Sequence, residues 1–530
     1  MTATLVPESA PFSEEQRAWL SGFLAGFLGV NETASGLPPA LLAIGNLSSE
    51  STEEDLKNAP WHDAALSLEE RMELADGKPL PQRMMAAMAQ LDCGSCGYVC
   101  ETYSAAIAAG TEKNLSLCSP GGNETKRMLK QLSKAVDDFA TPQLLATKAV
   151  PNSTETEAIS RQKPYRAKIL ESRKLNGDGS AKDTRHVAID LGSGGLTYQA
   201  GDALGVYPTN CPDLVSSILE HTHFRSDAKV MTADGAIKTL AEALAEDCCL
   251  KTPTNELLET LANHTHEPKA KGVFSAYLED GPVAGFDVLD ALLLAGDLGD
   301  LTETEFVRHL SPLAPRLYSI ASSMAKVGNQ VHLTVGRVTY EREGRQRKGV
   351  ASTMFSERCL PGTGVRIYVQ PNHGGFTVPK ADSTAMIMVG PGTGIAPFMA
   401  FLQEREVRQA KGKNWLFFGD QQQTQDFLYQ DQLHAWLTSG LLTRLDTAFS
   451  RDSTQKVYVQ DRLRERAEEI WTWLEEGACF FVCGDASRMA ADVDKTLKEI
   501  VAQQGRMNYQ EAQRYVKELT ASQRYVRDVY

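Results

Sequence analysis

A short apolar run that passes directly into a glycine-rich turn constrains the fold of this chain more than any other feature. Residues 386–389 (Met-Ile-Met-Val) are typical of a buried strand, residues 390–394 (Gly-Pro-Gly-Thr-Gly) follow at once, and residues 396–408 have a helical pattern. Backbone N–H groups at the start of a helix can hold a phosphate, and glycines let it approach the chain closely. The turn departs from the full dinucleotide-binding fingerprint, because Ile395 stands where a third glycine is expected. An ordinary tight turn is therefore the alternative for this segment taken alone.

Short strands and helices alternate after this turn. Strands are predicted over residues 415–418 and 479–483, and helices over residues 433–438 and from Arg488 onwards. Such alternation is typical of a doubly wound parallel sheet.

The preceding part of the chain is richer in β-structure. Short runs separated by turn residues predict a barrel or a sandwich, which a Leu- and Ala-rich helical stretch at about residues 205–310 interrupts as an insertion. The predicted strands lie at residues 165–170, 186–191, 331–340 and 365–370.

The length of 530 residues predicts three or four domains, at roughly 100–200 residues for each. A boundary is expected where Pro, Ser, Thr and Glu dominate and aromatic residues are lacking. We predict an N-terminal helical region (1–85), a four-cysteine segment (86–145), a linker (146–163), a β-barrel domain with its insertion (164–380) and a dinucleotide-binding domain (381–530).

Charge and hydropathy exclude several functions. The net charge of −14 argues against a nucleic-acid partner, because phosphate backbones require a basic face. No apolar run approaches the roughly 20 residues of a membrane span, and the first basic residue is Arg17, which leaves no charged region of a signal peptide. We therefore expect a cytoplasmic protein without a membrane span, whose acidic surface is suited to a basic partner.

A second group of polar residues strengthens the dinucleotide interpretation. Ser450, Arg451 and Lys456 follow a predicted strand, and Tyr458 and Gln460 come shortly after them. A guanidinium and an ammonium suit the 2′-phosphate of NADP, whereas an acidic residue would select NAD. A solvated strand edge that carries charges is the alternative.

Two tetrapeptides offer further cofactor contacts. Residues 316–319 (Arg-Leu-Tyr-Ser) combine a pyrophosphate-binding cation with a ring that can stack on a planar group. Residues 349–352 (Gly-Val-Ala-Ser) offer backbone amides and a hydroxyl, which also suit a phosphate. Each tetrapeptide by itself is equally compatible with simple turn structure.

The order of these motifs closely resembles a known family. Residues 164–530 resemble the FAD/NADPH module of the diflavin reductases, and within that family they most resemble the flavoprotein components of NADPH-dependent sulfite reductases. The resemblance implies an α/β class with a β-barrel, in the ferredoxin–NADP reductase-like arrangement of an FAD barrel with a helical insertion and a doubly wound NADP domain. The matching segments are residues 316–323, 390–398, 426–429, 450–452, 456–461, 482–485 and 524–530.

The resemblance also implies which residues act on the cofactors. Ser319, Cys483 and Asp528 match the family's hydride-transfer residues, and Tyr530 is expected to stack on the flavin ring. The other FAD positions are Arg316, Leu317, Tyr318, Thr334, Val335, Gly336, Tyr340, Gly349, Val350, Ala351 and Ser352. The NADPH positions are Thr393, Ser450, Arg451, Lys456, Val457, Tyr458, Val459, Gln460 and Asp492.

Four clustered cysteines stand where that family carries a flavodoxin domain, for which residues 1–163 are too short and lack the phosphate loop. Cys93, Cys96 and Cys100 lie within eight residues of one another, and Cys118 follows after 17 further residues. Three close thiolates and one distant thiolate are typical of a [4Fe–4S] cluster. The alternatives are a structural zinc ion, which more often binds two separated Cys-x₂-Cys pairs, and unligated thiols.

The cysteine segment also resembles the four-cysteine cluster domain of RnfB-type electron-transport subunits. That pattern has four residues between its second and third cysteines, whereas this chain has three. The resemblance therefore indicates an iron–sulfur cluster more firmly than it indicates the type of cluster.

Together these features predict an NADPH-dependent flavoprotein reductase that contains FAD and an iron–sulfur cluster and feeds a sulfite reductase hemoprotein. The cluster would take the place of FMN as the one-electron carrier. One alternative acceptor is a nitrate or nitrite reductase, or a ferredoxin-like carrier. A second alternative is a docking subunit in which the cysteines bind structural zinc.

Overall fold

The computed structural model describes residues 66–90, 100–112, 121–137 and 159–530, except 194, 373, 374 and 487, and also residues 59, 61, 98, 115, 117 and 118. Most of the predicted N-terminal helical region lies outside the described residues, as do Cys93 and Cys96. In the described part, no helix is both long and apolar enough to span a bilayer.

Short helices before residue 138 share a small core. The first begins after Ser67, whose hydroxyl accepts a hydrogen bond from the Glu70 N–H while the Glu70 carboxylate accepts one from the Ser67 N–H. This reciprocal capping stabilises a short helix by about 1 kcal/mol. The described helices are α1 (Leu68–Leu74), α2 (Leu80–Ala86), α3 (Cys100–Ala108) and α4 (Gly122–Asp137).

The β-rich part of the chain forms an antiparallel barrel, which decides between the two predicted architectures. Six strands pair in the order β6-β3-β10-β1-β2-β7, and a bridge between Ile320 and Leu333 joins the two edges. Alternate side chains fill the interior with apolar residues such as Ile169, Leu204 and Ile367. The strands are β1 (Tyr165–Lys174), β2 (Thr184–Asp190), β3 (Ala203–Tyr207), β6 (Arg316–Ser319), β7 (Gln330–Gly336) and β10 (Gly364–Gln370).

A helical insertion separates β3 from β6 and has its own apolar core, which includes Leu258, Phe274 and Phe306. Its first helix begins at Pro212, shortly after residues 203–207 have paired in the barrel as β3. It contains a small hairpin of β4 (Lys229–Met231) and β5 (Ile237–Thr239). Its helices are α5 (Pro212–Thr222), α6 (Leu240–Glu246), α7 (Asn255–His264), α8 (Pro268–Asp280), α9 (Val288–Ala295) and α10 (Glu303–Arg308).

A second hairpin projects from the barrel after β7. It consists of β8 (Thr339–Arg342) and β9 (Arg345–Lys348), which pair Tyr340 with Arg347 and Arg342 with Arg345. The short helix α11 (Met324–Val327) precedes β7, and α12 (Val350–Thr353) follows the hairpin and continues as a π-helical turn over Met354–Arg358.

The C-terminal part forms the predicted parallel sheet, with five strands in the order β13-β12-β11-β14-β15. Met386 and Met388 of β11 face one apolar core, and Ile387 and Val389 face the other. The chain leaves β11 toward one edge and later returns to its other side, so the switch point lies beside β11. The strands are β11 (Met386–Val389), β12 (Asn414–Asp420), β13 (Arg444–Phe449), β14 (Cys479–Gly484) and β15 (Tyr525–Val529).

Helices cover both faces of this sheet. A 3₁₀ turn, Gly392–Ile395, leads from β11 into the first of them. The helices are α13 (Ala396–Arg408), α14 (Gln423–Asp426), α15 (Gln430–Ser439), α16 (Val459–Glu465), α17 (Ala467–Glu475), α18 (Met489–Gln504) and α19 (Tyr509–Ala521).

Candidate active site

Three of the predicted catalytic residues meet between the barrel and the parallel sheet. β14 and β15 pair in parallel and place Cys483 beside Asp528. The Ser319 hydroxyl, at the end of β6, donates a hydrogen bond to Asp528 Oδ2 at 2.7 Å. The Cys483 thiol lies 3.8 Å from the same oxygen. One carboxylate therefore accepts hydrogen bonds from both domains.

Burial sets the charge state of this cluster. It raises the pKa of the Cys483 thiol well above its usual range, and the neighbouring Asp528 charge acts in the same direction. The thiol is therefore protonated at neutral pH. Burial also raises the pKa of Asp528, although hydrogen bonds from Ser319 and Cys483 favour its ionised form.

Tyr530 lies next to this cluster and faces the glycine-rich turn. Its phenol is within hydrogen-bond distance of the Thr393 hydroxyl, O to O 2.8 Å. The Tyr530 N–H also donates to the Gly484 carbonyl at 3.1 Å, which anchors the backbone. Half of the surface of this residue is exposed, although its phenol group is buried.

The glycine-rich turn needs its glycines for close packing. A Cβ on Gly394 would lie 2.1 Å from the Cys483 carbonyl oxygen, and one on Gly390 would lie 2.5 Å from the Gly394 carbonyl oxygen. The turn is therefore packed directly onto the end of β14. A Cβ on Gly336, at the end of β7, would lie 3.3 Å from the Thr393 methyl group, so the barrel also approaches this turn.

The predicted 2′-phosphate residues follow β13 at the edge of the sheet. The side chains of Arg451 and Lys456 are exposed, and neither forms an ion pair within the described part of the chain. The Arg451 N–H donates to the Gln421 carbonyl at 2.7 Å, which holds this segment beside the end of β12.

The Gln460 amide donates to the Asp492 carboxylate at 3.2 Å, which brings together two more of the predicted NADPH residues. Val459 is buried and begins α16, with Val457 and Tyr458 leading into it.

The predicted flavin residues lie on the barrel and on the β8–β9 hairpin. Arg316 and Leu317 are partly buried on β6, and the Tyr318 ring packs edge-on against Phe355 with ring centres 5.9 Å apart. Ser352 accepts a hydrogen bond from the Val338 N–H at 3.1 Å, which closes the turn that Gly349, Val350 and Ala351 form.

The hydroxyl of Thr334, another predicted flavin residue, contacts the other domain. It lies 2.7 Å from the Tyr429 hydroxyl of the parallel-sheet domain, and Val335 is buried inside the barrel. The same Tyr429 oxygen lies 3.1 Å from His186 Nδ1. Thr334 therefore contributes to contact between the domains.

The structure adds an ion pair that the sequence did not indicate. Lys182 of the barrel and Asp420 at the end of β12 are 2.5 Å apart, Nζ to Oδ1. A Cβ on Gly392 would lie about 4 Å from both groups, at 4.0 Å from Nζ and 3.9 Å from Asp420 Oδ2. The pair therefore lies beside the glycine-rich turn. In the sequence, the one signal for Asp420 is that it is a polar residue at the end of an apolar strand. No local pattern indicates Lys182.

Two of the four clustered cysteines belong to the described residues. Cys100 begins α3 and Cys118 lies shortly before α4, yet both are buried in one core with Met84, Met88 and Tyr103. A Cβ on Gly121 would lie 3.1 Å from Cys118 Sγ, so this glycine leaves the thiol room. Cys93 and Cys96 lie outside the described residues, and among the described ones no group of three His, Cys, Asp or Glu forms a metal site.

Comparison with protein families agrees with this geometry. Residues 157–354 match the family of FAD binding domains, and residues 388–495 match the family of oxidoreductase NAD-binding domains. The fold and the site thus define an oxidoreductase with one flavin-binding and one nicotinamide-dinucleotide-binding domain, and this part of the predicted fold is confirmed.

Similar proteins narrow the class to one family. The chain is 42% identical over 427 residues to the sulfite reductase [NADPH] flavoprotein alpha-component of Bacillus subtilis, which covers 80% of this chain and 70% of that protein. It is 44% identical to the component of Vibrio cholerae (76% of this chain, 65% of that protein) and 41% identical to that of Klebsiella pneumoniae (77% and 67%). The chain belongs to the family of sulfite reductase [NADPH] flavoprotein alpha-components, and it spans about two thirds of the length of these relatives.

Proposed function

We propose that this protein is an NADPH-dependent flavoprotein reductase that passes electrons from NADPH to FAD, then to an iron–sulfur cluster and finally to a sulfite reductase hemoprotein. The single observation that carries the proposal is the hydrogen bond between Ser319 and Asp528, which joins the two cofactor-binding domains beside Cys483. The names of the relatives, which are alpha-components of NADPH-dependent sulfite reductases, support sulfite reduction as the process.

The residues of the site fit both organic cofactors. Arg451 and Lys456 supply exposed cations for the 2′-phosphate of NADPH, and the glycine-rich turn at residues 390–394 leads into a helix, whose first backbone N–H groups can hold a pyrophosphate. Tyr530 supplies an aromatic ring, beside Thr393 and Asp528, on which a flavin ring could stack where it meets the nicotinamide. When bound, FAD accepts a hydride from NADPH and can release the two electrons one at a time.

The protein's own groups favour hydride transfer by their position and charge. A nicotinamide ring becomes cationic as its hydride leaves, and the Asp528 carboxylate would stabilise that charge in a site from which water is excluded. Ser319 and Cys483 hold the carboxylate by donating hydrogen bonds to it. The neutral thiol of Cys483 adds no negative charge that would compete with the departing hydride. Tyr530 covers the site until the nicotinamide displaces its ring.

The cysteine segment supplies the one-electron carrier in this proposal. Cys100 and Cys118 lie in one core although 17 residues separate them in the sequence, as two ligands of one cluster must. A cluster would be held by these thiolates together with Cys93 and Cys96. The sulfite reductase hemoprotein needs single electrons, which such a cluster can deliver.

An anaerobic titration with NADPH, followed by absorbance and EPR, tests the proposal. We expect bleaching of the flavin absorbance and then a signal from a reduced iron–sulfur cluster, with iron and acid-labile sulfide both present in the purified protein. The Cys96→Ser variant should keep NADPH-to-ferricyanide activity, because ferricyanide can take electrons from FAD, and should lose transfer to the hemoprotein.

A matched variant separates the cluster from general damage. Cys211→Ser changes a partly exposed thiol of the insertion and should retain both activities. Zinc without sulfide, or full turnover of the hemoprotein by Cys96→Ser, would rule out the relay and leave the flavin part of the proposal standing.

A further inference from the structure

The β8–β9 hairpin carries an unusual concentration of positive charge. Residues 337–348 contain five cationic side chains, and every one of them forms an ion pair. Three acidic partners come from the insertion, one from the π-helical turn and one from the hairpin itself: Asp287, Asp290, Asp213, Glu357 and Glu343. The cations are Arg337, Arg342, Arg345, Arg347 and Lys348.

The insertion holds the hairpin through the first turn of α9. Asp290 accepts from Arg345 and Arg347, each with an N···O distance of 2.6 Å, and from Arg342 at 3.2 Å. Asp287 accepts a second bond from Arg345 at 2.5 Å. Three guanidinium groups of one hairpin therefore share two carboxylates of one helix, with Arg347 and Asp287 almost fully buried at 6% and 5% exposure.

The two carboxylates are themselves held in place. Asp287 caps α9 by accepting from the Asp290 N–H at 2.9 Å, and Asp290 accepts from the Asp287 N–H at 3.1 Å. In this reciprocal cap a backbone N–H orients each carboxylate, in addition to the arginines that bind it. If the hairpin moved away from α9, these buried charges would lose their partners. The ion pairs therefore favour one position of the hairpin on the insertion.

The contact between the hairpin and the insertion also places Tyr340 against the insertion. A Cβ on Gly285 would lie 3.2 Å from Tyr340 Cε2 and 3.2 Å from Arg342 Cδ, so the ring rests on the bare glycine. On the other side of the hairpin, Glu357 binds Arg337 at 2.6 Å and Lys348 at 3.0 Å, immediately before the turn at Gly349. The hairpin is thus held at both ends.

We propose that the helical insertion is an FAD-positioning element, in which Asp287 and Asp290 hold the hairpin so that Tyr340 and the Gly349 turn receive the adenosine and pyrophosphate half of FAD. The inference rests on the proposed function, because it takes Tyr340 and Gly349 as flavin-binding residues. Asp287 and Asp290 are positioning residues and touch no cofactor. The inference assigns a cofactor-binding role to a domain that supplies none of the predicted flavin residues.

Binding of two flavins to the deflavinated full-length protein tests this role. Riboflavin carries the ring of FAD without its pyrophosphate and adenosine. In Asp290→Asn and Arg345→Gln, we expect FAD affinity to fall roughly tenfold, as for loss of one charged hydrogen bond, while riboflavin affinity stays the same. Asp227→Asn breaks an exposed ion pair of the same insertion, with Arg225, and should change neither affinity by more than about twofold.

A glycine pair provides a second test that removes no charge. Gly285→Ala and Gly235→Ala both place alanine in the insertion at a similar positive φ, +79° and +84°, but only Gly285 has neighbours within 4 Å. We expect Gly285→Ala to weaken FAD binding and Gly235→Ala to leave it unchanged. This pair tests the positioning role even if Asp290→Asn does not fold.

Equal FAD affinity in wild type and folded Arg345→Gln and Gly285→Ala would overturn the inference, and so would a parallel loss of riboflavin. A wild-type protein that takes up neither flavin would instead overturn the proposed function, and this inference with it.

Discussion

Asp528 accepts a hydrogen bond from Ser319 across the boundary between the two cofactor-binding domains, with Oγ and Oδ2 2.7 Å apart. Asp528 lies on the last strand of the parallel sheet and Ser319 lies on an edge strand of the barrel, so the bond fixes the distance between the domains where their cofactors would meet. The same carboxylate receives the Cys483 thiol.

Removal of the Asp528 charge should slow hydride transfer. In Asp528→Asn, we expect the rate of flavin reduction by NADPH to fall on the order of 10²-fold, because both the positioning contact and the stabilising charge are changed. Stopped-flow absorbance measures this rate directly. The exposed Asp431→Asn serves as the control in the same domain. A rate within about twofold of wild type in Asp528→Asn would exclude the carboxylate from the hydride step.

Selection for NADPH should depend on Arg451 and Lys456. Their double replacement by alanine removes two charge-assisted hydrogen bonds to the 2′-phosphate, so the KM for NADPH should rise roughly 10- to 100-fold. The KM for NADH should stay nearly constant, because NADH lacks that phosphate. Steady-state kinetics with both dinucleotides measure the two values, and Lys495→Ala changes an exposed lysine of α18 as a control. Equal losses for both dinucleotides would contradict the assignment.

Packing of the glycine-rich turn onto β14 should make Gly394 intolerant of alanine. The added Cβ would lie 2.1 Å from the Cys483 carbonyl oxygen, so the backbone must shift. We expect Gly394→Ala to destabilise the protein by about 1–3 kcal/mol. Gly272→Ala, in helix α8 with no neighbour within 4 Å of the new methyl group, should instead stabilise by about 0.5–1 kcal/mol. Urea denaturation monitored by circular dichroism compares the two variants, and a Gly394→Ala protein as stable as wild type would show that the turn can move freely.

Stability should fall in mild acid because of His186. Burial, together with the charges of His332 and Arg173, lowers the pKa of His186 to about 3. In the unfolded chain a histidine titrates near 6.5, so the unfolded state binds the proton first as the pH falls. The free energy of unfolding should therefore be highest above about pH 6.5 and decrease toward about pH 3, by at most about 1.4 kcal/mol per pH unit from this residue.

Variants of two histidines test that slope. His186→Gln should reduce the pH dependence of the urea midpoint between about pH 7 and pH 4, whereas the exposed His266→Gln should leave it unchanged. An identical slope in wild type and His186→Gln would assign the acid sensitivity to other groups.

Local patterns predicted much of the fold, because each predicted element depends on nearby residues. The strand at Met386–Val389 and the helix at Ala396–Arg408 lie within the predicted bounds. Local patterns do not decide between a barrel and a sandwich, because closure through Ile320 and Leu333 depends on how the strands pair in three dimensions. No local pattern indicates β3 either, because this short strand is recognisable as part of the barrel only through its partners.

The contacts between domains could not have been predicted in this way. Lys182 and Asp420 are 238 residues apart in the sequence, and His186 and Tyr429 are 243 apart. No local sequence pattern indicates either pair, because each forms only where two folded domains pack together. The contact between the Thr334 and Tyr429 hydroxyl groups crosses the same boundary, and no local pattern indicates it either.

The strand order of the parallel sheet has a consequence for evolution and engineering. The residues that would read the 2′-phosphate follow β13 at one edge, whereas Asp528 lies on β15 at the other, and three strands stand between them. At about 4.8 Å between neighbouring strands, the two functions are roughly 19 Å apart. Substitutions at the exposed residues Arg451 and Lys456 should therefore change the preference between NADPH and NADH. They should leave the hydride-transfer residues at the opposite edge unchanged. A library confined to that exposed segment should yield enzymes with altered coenzyme preference and an unaltered hydride step.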